Sequence, residues 1–296
     1  MMVDDDVLSR LSDLRNRSPV FKAASSDRIV VASDLHMGDG SMADDFRGNS
    51  GLFSEVMSRF YLDRGFKLVL NGDVEELHKF RLKRVLSRWK DIYGLFDRFQ
   101  DGPGLFKIFG NHDLDFLFDG AHEFIDRQFE AVRMLYMDAE LFFLHGHQGS
   151  HFLERMHRFN RMITRGFIKP LKLKNFTLEL EGKPVTRKEN RLSLFSEENG
   201  ILTFMGHTHR PLFGRDNGAP SLFNSGAVIG KLGMTTLEIE RGVISLVHWW
   251  DRSLVKRYIV RDWFEPVRLA STGIYRTVLD TASIGSLLHP SASPSF

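Results

Sequence analysis

Residues 105–113 read LFKIFGNHD, a largely apolar run followed at once by glycine, asparagine, histidine and aspartate. A short apolar run that ends abruptly in polar residues is typical of a buried parallel strand, which delivers those side chains to the carboxyl edge of a sheet. In open α/β sheets, ligands bind at that edge. The stretch therefore predicts an α/β fold with a polar site beside residues 110–113.

Four other apolar runs end in the same way, each in residue types that bind metal ions. They are RIVVAS (28–33) before Asp34 and His36, FKLVL (66–70) before Asp73, LFFL (141–144) before His145, and ILTFM (201–205) before His207 and His209.

The spacing between these ends favours alternating strands and helices. Asp34, Asp73, Asn111 and His145 follow one another at intervals of 39, 38 and 34 residues, each about one strand–helix unit. Alternation of this kind predicts a parallel sheet covered on both faces. The longer interval of 62 residues from His145 to His207 predicts an insertion, at about residues 150–195.

The two ends of the chain differ from its middle. Residues 1–26 contain a predicted helix with an apolar side, which either docks on the domain or forms a mobile arm; we favour docking. Residues 27–250 form the predicted main domain, and its last part alternates like antiparallel strands. Residues 251–296 are a C-terminal extension whose end, HPSASPSF, is predicted to be disordered.

Composition narrows the classes of function. Among 296 residues, 40 Lys and Arg stand against 38 Asp and Glu, so net charge does not argue for nucleic acid as a partner. There is no cysteine, which leaves His, Asp, Asn and Glu as ligands. With neither a secretory signal nor an apolar run near the ~20 residues of a membrane span, we expect a soluble, cytoplasmic protein.

Peripheral contact with a membrane stays open as an alternative. Trp249, Trp250 and Trp263 lie near basic residues, a mixture found at membrane interfaces. The other interpretation, which we prefer, is that these aromatic side chains close the core around the last strands.

The insertion contains a predicted helix with two distinct faces. One carries an apolar stripe, and the other carries basic residues that include Arg155, Arg158 and Arg165. The basic face is either a solvated surface or part of a cap that binds an anionic substrate, and the sequence favours neither.

The five polar ends together favour one binuclear metal centre. Asp34 and His36 are two residues apart, so both side chains can leave a strand end in the same direction. Each motif alone is weak evidence, but five in one order, each after an apolar run, are poorly explained as unrelated turns.

Taken in order, these motifs resemble the signature of the calcineurin-like metallophosphoesterase superfamily. The likeness runs from about Asp27 to Trp250 and implies a four-layer α/β/β/α sandwich. The motifs that carry it are DLH (34–36), GD (72–73), GNHD (110–113), His145 and GHTH (206–209).

The resemblance also implies roles for single residues. It assigns Asp34, His36 and His209 to one metal ion, Asn111, His145 and His207 to the other, and Asp73 to the position between them. It implies attack on phosphorus by a hydroxide shared between the ions, with His112 as proton donor to the leaving group. Asp113 or Glu76 would orient a neighbour, and His147 is a candidate contact to the substrate. Manganese is the first choice of metal by this resemblance, with Fe, Zn, Co and Ni as alternatives.

Within the superfamily, the motifs resemble the branch of bacterial UDP-2,3-diacylglucosamine hydrolases. DLHMGD (34–39), GDVEE (72–76) and GHTHRP (206–211) carry this likeness, and the insertion lies where that branch has a helical cap. That branch typically has Arg in place of His112 and Asp in place of His147, which brings this chain nearer to general phosphodiesterases and phosphatases.

We therefore expect a metal-dependent phosphoesterase acting on a phosphodiester or pyrophosphate, with a UDP-2,3-diacylglucosamine-like or nucleotide-linked ester as a candidate substrate. The enzymatic alternative is a phosphomonoesterase, including a phosphoprotein phosphatase. The alternative from another class is a non-catalytic interaction scaffold. We do not expect nucleic acid as substrate, since no long basic, aromatic-interleaved surface is visible outside the insertion.

Overall fold

The computed structural model describes residues 2–117, 124–149, 185–214, 218–252 and 266–289. These residues form two β-sheets with helices packed against them. The prediction of an α/β fold is confirmed.

The larger sheet has eight strands in the described part of the chain. Their order is β13-β14-β12-β11-β2-β3-β4-β5, with β2 to β5 parallel and β11 antiparallel to β2. The bounds are β2 Arg28–Ala32, β3 Phe66–Asn71, β4 Leu105–Ile108, β5 Gln128–Phe129, β11 Met234–Glu240, β12 Val243–Asp251, β13 Val267–Arg268 and β14 Ile274–Ser283.

The second sheet, again within the described residues, has six strands in the order β1-β6-β7-β8-β10-β9. Strand β7 is antiparallel to β6 and parallel to β8. The bounds are β1 Val20–Ala23, β6 Ala131–Tyr136, β7 Ala139–Leu144, β8 Leu202–Met205, β9 Pro211–Phe213 and β10 Leu222–Ser225.

Helices connect or flank these strands. The described α-helices are α1 Met2–Arg17, α2 Ser50–Val56, α3 Leu82–Arg88, α4 Lys90–Asp101, α5 Arg187–Glu198 and α6 Ile284–Leu288, and α2 continues into a π-helical turn at Met57–Leu62. None of them combines the length and the apolar character needed to cross a bilayer.

Alternation along the strands places neighbouring core residues in different clusters, because successive side chains of a strand point to opposite faces. Val30 packs with side chains of α2 and α4, whereas its neighbour Val31 lies in a cluster built from both sheets. Phe143 also belongs to the cluster between the sheets, while Phe142 packs with α1 and α5. This two-sided burial explains why these runs are almost continuously apolar.

The five apolar runs are divided between the two sheets: β2, β3 and β4 lie in the larger sheet, and β7 and β8 lie in the smaller one. One expectation needs correction: after a short 3-10 turn at Leu114–Leu117, the described residues between Asn111 and His145 form a further strand and then an antiparallel pair, whereas the spacing predicted a strand–helix unit. A pair of strands spans as many residues as a strand–helix unit, so the spacing alone did not distinguish these two arrangements.

The described parts of the two terminal segments pack with the sheets. Val7, Leu11 and Leu14 of α1 are buried in the cluster beside the six-stranded sheet, and Arg15 pairs with Glu140 of β7. In the segment expected as an extension, β14 pairs with β12 along its length.

The predicted insertion is only partly described. Residues 150–184 lie outside the described part of the chain, and with them Arg155, Arg158 and Arg165. The described part, residues 185–195, contains the start of α5. There Thr186 caps the helix and exchanges hydrogen bonds with Glu189 in a capping box.

Candidate metal centre

The strand ends of both sheets converge on one buried site. Among the described residues, three groups of ligand-type side chains have their ligand atoms within 4.8 Å of one another: one is His36, Glu76 and His112, and Asp73 belongs to both of the others. Of these two, the first group is Asp34, His36, Asp73 and His209, and the second is Asp73, His145 and His207.

The backbone at these residues is unusual. Eight non-glycine residues in the described chain have positive φ, and five of them are predicted ligands: Asp34, His36, Asp73, His207 and His209. A positive φ is costly for such residues and persists where the surrounding structure holds it, most often at functional sites. The strain is therefore concentrated on the predicted ligands.

Hydrogen bonds orient two of the imidazole rings. His36 Nδ1 lies 3.1 Å from the Glu76 carboxylate, and His145 Nδ1 lies 2.8 Å from the backbone oxygen of Asn71. Each acceptor holds a ring proton on Nδ1, so Nε2 is the nitrogen left to face the site. His145 Nε2 lies 3.1 Å from Asp73 Oδ2, which places this nitrogen at the site.

The first group closes around a common point. His209 Nε2 lies 3.1 Å from Asp34 Oδ1 and 3.1 Å from His36 Nε2. Ring nitrogens and carboxylate oxygens that face one another at these distances share a small volume, as the ligands of one cation do.

The residues present fit divalent metal ions. Carboxylate, imidazole and amide oxygen form a donor set that such ions accept. Asn111 Oδ1 is buried and has no hydrogen-bond partner among the described residues, and an orphaned buried acceptor of this kind is uncommon unless it serves a ligand. Because Asp73 is common to both groups, the site suits two ions joined by one carboxylate.

The charges of the site are strongly coupled. Burial opposes ionisation of Asp34 and Asp73, but nearby histidines, led by His209 and His145 respectively, lower the pKa of each. Burial also opposes a charge on His145, yet Asp73 and Asp34 raise its pKa to about 10. Burial, with a contribution from His145, lowers the pKa of His207 to about 3. Both carboxylates are therefore ionised at neutral pH.

His112 lies at the open side of the centre. Its side chain is 26% exposed, its Nδ1 lies 2.7 Å from Glu76 Oε1, and its ring packs against that of His78 at 4.3 Å between centroids. Burial opposes a charge on His112, but Asp73 and Glu76 raise its pKa to about 9. His78, for which the sequence predicted no functional role, thus lies beside a predicted functional residue.

The Asp113 carboxylate binds backbone N–H groups around the site. Its carboxylate accepts hydrogen bonds from the backbone N–H groups of Val74 and Gly110, and so ties together the loops after β3 and β4. Gly110 has to be glycine, because a Cβ there would collide with the Asp73 side chain. Asp113 and Glu76 were both predicted to orient neighbours, and the structure places both next to site residues.

A buried ionic network lies behind these loops. The Lys107 side chain is fully buried, its ammonium contacts the Glu75 carboxylate, and it lies 3.6 Å from Asp113 Oδ2. Tyr93 donates a hydrogen bond to Glu75 at 2.8 Å. Sequence reasoning missed the role of Lys107, although a lone lysine in an apolar run is a signal, because a buried ammonium needs carboxylate partners.

Of the four predicted substrate contacts, the structure describes only His147. His147 is buried next to the centre, with its ring centroid 5.7 Å from that of His145 and 6.4 Å from that of His207. Lys188, which sequence reasoning did not identify, lies 3.1 Å from His207 Nε2 through its Nζ. The three arginines predicted in the insertion lie outside the described residues.

Comparison with known proteins finds no matching family model and no matching curated protein. Among solved structures, the chain is similar to Yfce, a phosphoesterase from E. coli, with a TM-score of 0.38 and 16% identity over 79% of this chain and 96% of that one. It is also similar to vacuolar protein sorting 29 from Cryptosporidium parvum, with a TM-score of 0.43 and 12% identity over 87% and 98%. A cold-active protein-tyrosine phosphatase of a psychrophilic Shewanella species gives 0.41 and 14% over 77% and 78%. At such low TM-scores and identities, these likenesses carry no argument about activity.

Proposed function

We propose that this chain is a metal-dependent phosphoesterase of the calcineurin-like metallophosphoesterase superfamily. The observation that carries the proposal is that Asp73 belongs to two adjoining groups of largely buried ligand-type residues. A carboxylate shared between two cation sites can hold two cations close together, as two-metal centres of phosphatases and nucleases do. The ordered motifs of the sequence point to the same chemistry.

The proposed ligand roles come from the resemblance, and the grouping of the described ligand atoms supports them. Asp34, His36 and His209 would hold one ion, while Asn111, His145 and His207 would hold the other. When bound, the two cations would polarise the phosphoryl group and lower the pKa of water. The protein keeps the imidazole lone pairs directed at the site through Glu76 and the Asn71 carbonyl.

His112 is suited to give a proton to the leaving oxygen. Glu76 binds its Nδ1 and stabilises the protonated ring, which leaves Nε2 to face the substrate. The same carboxylate orients His36, so one buried acid positions both a metal ligand and the proton donor.

For the substrate we propose a phosphodiester or pyrophosphate. The support is the likeness of DLHMGD, GDVEE and GHTHRP to the UDP-2,3-diacylglucosamine hydrolase branch, which makes UDP-linked lipids and nucleotide-linked esters the first compounds to test. A phosphomonoester is the second candidate, because the chain has His112 where that branch typically has Arg. We propose Mn²⁺ as the metal by the same resemblance.

The test is hydrolysis of bis(p-nitrophenyl) phosphate and p-nitrophenyl phosphate by metal-stripped protein resupplied with Mn²⁺. We expect turnover of the diester that requires metal and disappears in Asp73→Ala. Preference for the monoester would favour the phosphomonoesterase alternative over the phosphodiesterase proposal. If protein of confirmed metal content hydrolyses neither compound and none of the UDP-linked or nucleotide-linked esters, the enzyme proposal fails and the scaffold alternative takes its place.

A further inference from the structure

Lys188 is a cation placed directly beside the predicted metal centre. It belongs to the first turn of α5, and its Nζ lies 3.1 Å from Nε2 of His207. His207 is a member of the group that includes Asp73 and His145. The ammonium therefore lies at the edge of the second cation site.

The fold holds this turn of α5 firmly against the loop at residues 206–210. Glu189, the next residue, is fully buried and caps the helix through Thr186. Its carboxylate also accepts hydrogen bonds from Thr208 Oγ1 at 3.1 Å and from the Arg210 guanidinium at 2.5 Å. Because one carboxylate joins the helix start to the loop, the position of Lys188 beside His207 is built into the structure.

The charge of Lys188 is not balanced within the described part of the chain. Arg210 is paired with Glu189, but no carboxylate of the described residues forms an ion pair with Lys188. Two divalent cations bound at these sites would repel the ammonium, because holding like charges close together costs free energy. An anion between the lysine and the cations would offset that repulsion. A phosphoryl group, whose oxygens carry negative charge, is such an anion.

We propose that Lys188 contacts a non-bridging oxygen of the substrate's phosphoryl group and so belongs to the substrate-binding machinery. This inference rests on the proposed function, since it takes the cation sites to be real. It adds a phosphate contact on the α5 side of the centre, from a residue outside the recognised motifs. The same contact would retain inorganic phosphate, which is a product when the substrate is a monoester.

The test compares Lys188→Met and Lys188→Arg with Arg187→Met. Arg187 is exposed on the same turn, and no described contact joins it to the centre, so its variant controls for loss of one positive charge. Calorimetry measures the affinity of metal-free protein for Mn²⁺, and then the affinity of Mn²⁺-loaded protein for inorganic phosphate.

We expect Lys188→Met to weaken phosphate binding by about tenfold or more, as for loss of a charge-assisted hydrogen bond. Its Mn²⁺ affinity should be unchanged or higher, because a repelling charge is gone. Lys188→Arg should restore most of the phosphate affinity, and Arg187→Met should behave as wild type.

The inference is overturned if Lys188→Met binds phosphate as wild type does, or if wild-type protein loaded with Mn²⁺ binds no phosphate. It is also overturned if Lys188→Met loses Mn²⁺ affinity, which would show that the lysine supports His207 instead of the substrate. Failure of the proposed function is recognised separately, because wild-type protein would then bind no Mn²⁺ or hydrolyse no ester. Ester hydrolysis by wild type, with phosphate affinity retained in Lys188→Met, would refute this inference alone.

Discussion

Glu76 Oε1 lies 2.7 Å from Nδ1 of His112. The other oxygen of this carboxylate lies 3.1 Å from His36 Nδ1. Burial opposes ionisation of Glu76, but His112 and His36 lower its pKa well below the usual range. A single buried charge therefore orients the proposed proton donor and one proposed metal ligand.

Replacement of this carboxylate should impair catalysis without unfolding the protein. In Glu76→Gln we expect kcat to fall roughly 10- to 100-fold, the usual effect of removing an outer partner of a metal-bound histidine. The measurement is steady-state hydrolysis of bis(p-nitrophenyl) phosphate at saturating Mn²⁺. Glu55→Gln, at an acid of α2 that pairs only with Arg59 among the described residues, is the matched control. Equal kcat in the two variants would refute the role of Glu76.

Metal content should distinguish the shared ligand from the others. In Asp73→Ala we expect loss of most of both ions, because Asp73 belongs to both groups. In His209→Ala we expect loss of one ion, because His209 belongs to only one group. Elemental analysis after dialysis against trace Mn²⁺ gives the number of ions per chain, with Asp91→Asn on the exposed face of α4 as control. Equal metal content in the Asp73 and His209 variants would contradict a shared carboxylate.

Disruption of the ionic network behind the site should lower the stability of the protein strongly. Lys107→Met leaves the Glu75 and Asp113 carboxylates buried without their cation, so we expect the free energy of unfolding to fall by about 3–5 kcal/mol. The double variant Lys107→Met with Glu75→Gln removes one stranded charge and should recover part of that loss. Urea unfolding of the metal-free proteins measures both, since bound metal would add its own stabilisation. A double variant no more stable than Lys107→Met would argue against the pairing.

His248 should make stability depend on pH. Its ring is buried and its Nε2 donates to the Leu232 carbonyl oxygen at 2.6 Å; burial lowers its pKa from 6.5 to about 4. Below pH 6.5 the unfolded chain gains a proton at this residue that the folded chain does not. The contribution of His248 to stability is therefore complete above pH 6.5 and decreases as the pH falls toward 4, by about 3 kcal/mol in total.

The variant His248→Gln keeps a hydrogen-bond donor but does not titrate. We expect its stability to depend less steeply on pH than that of wild type between pH 6.5 and 4. Chemical unfolding of both proteins across this range gives the difference between the two curves. Parallel curves would show that His248 is not the titrating group.

Local sequence was sufficient to locate the strands that carry the site. Each of the five apolar runs became a strand within two residues of its predicted bounds, because residue type and periodicity report whether a segment is buried. The polar residues after them were recognised for the same reason, since a strand end is a local feature. The positions proposed for metal ligands thus came from motifs of a few residues.

Interval lengths were less informative. The interval of 34 residues from Asn111 to His145 suggested a strand–helix unit, but the described residues there form a short 3-10 turn and three strands. A pattern that shows that a segment is buried does not show what it is buried against, so the division of the five runs between two sheets was not readable from spacing.

What the sequence determined by itself was the α/β class, the five strands and the set of ligand-type residues at their ends. Tertiary structure decided which of these lie together in groups that could hold a metal ion, that Asp73 belongs to two of those groups, and that Lys107 and Lys188 lie beside Glu75 and His207. The physical reason is distance along the chain: Lys107 meets Glu75, and Lys188 meets His207, only after separate strands and a helix have packed. Burial is encoded residue by residue, whereas the partner of a buried charge is chosen by the way the sheets and helices come together.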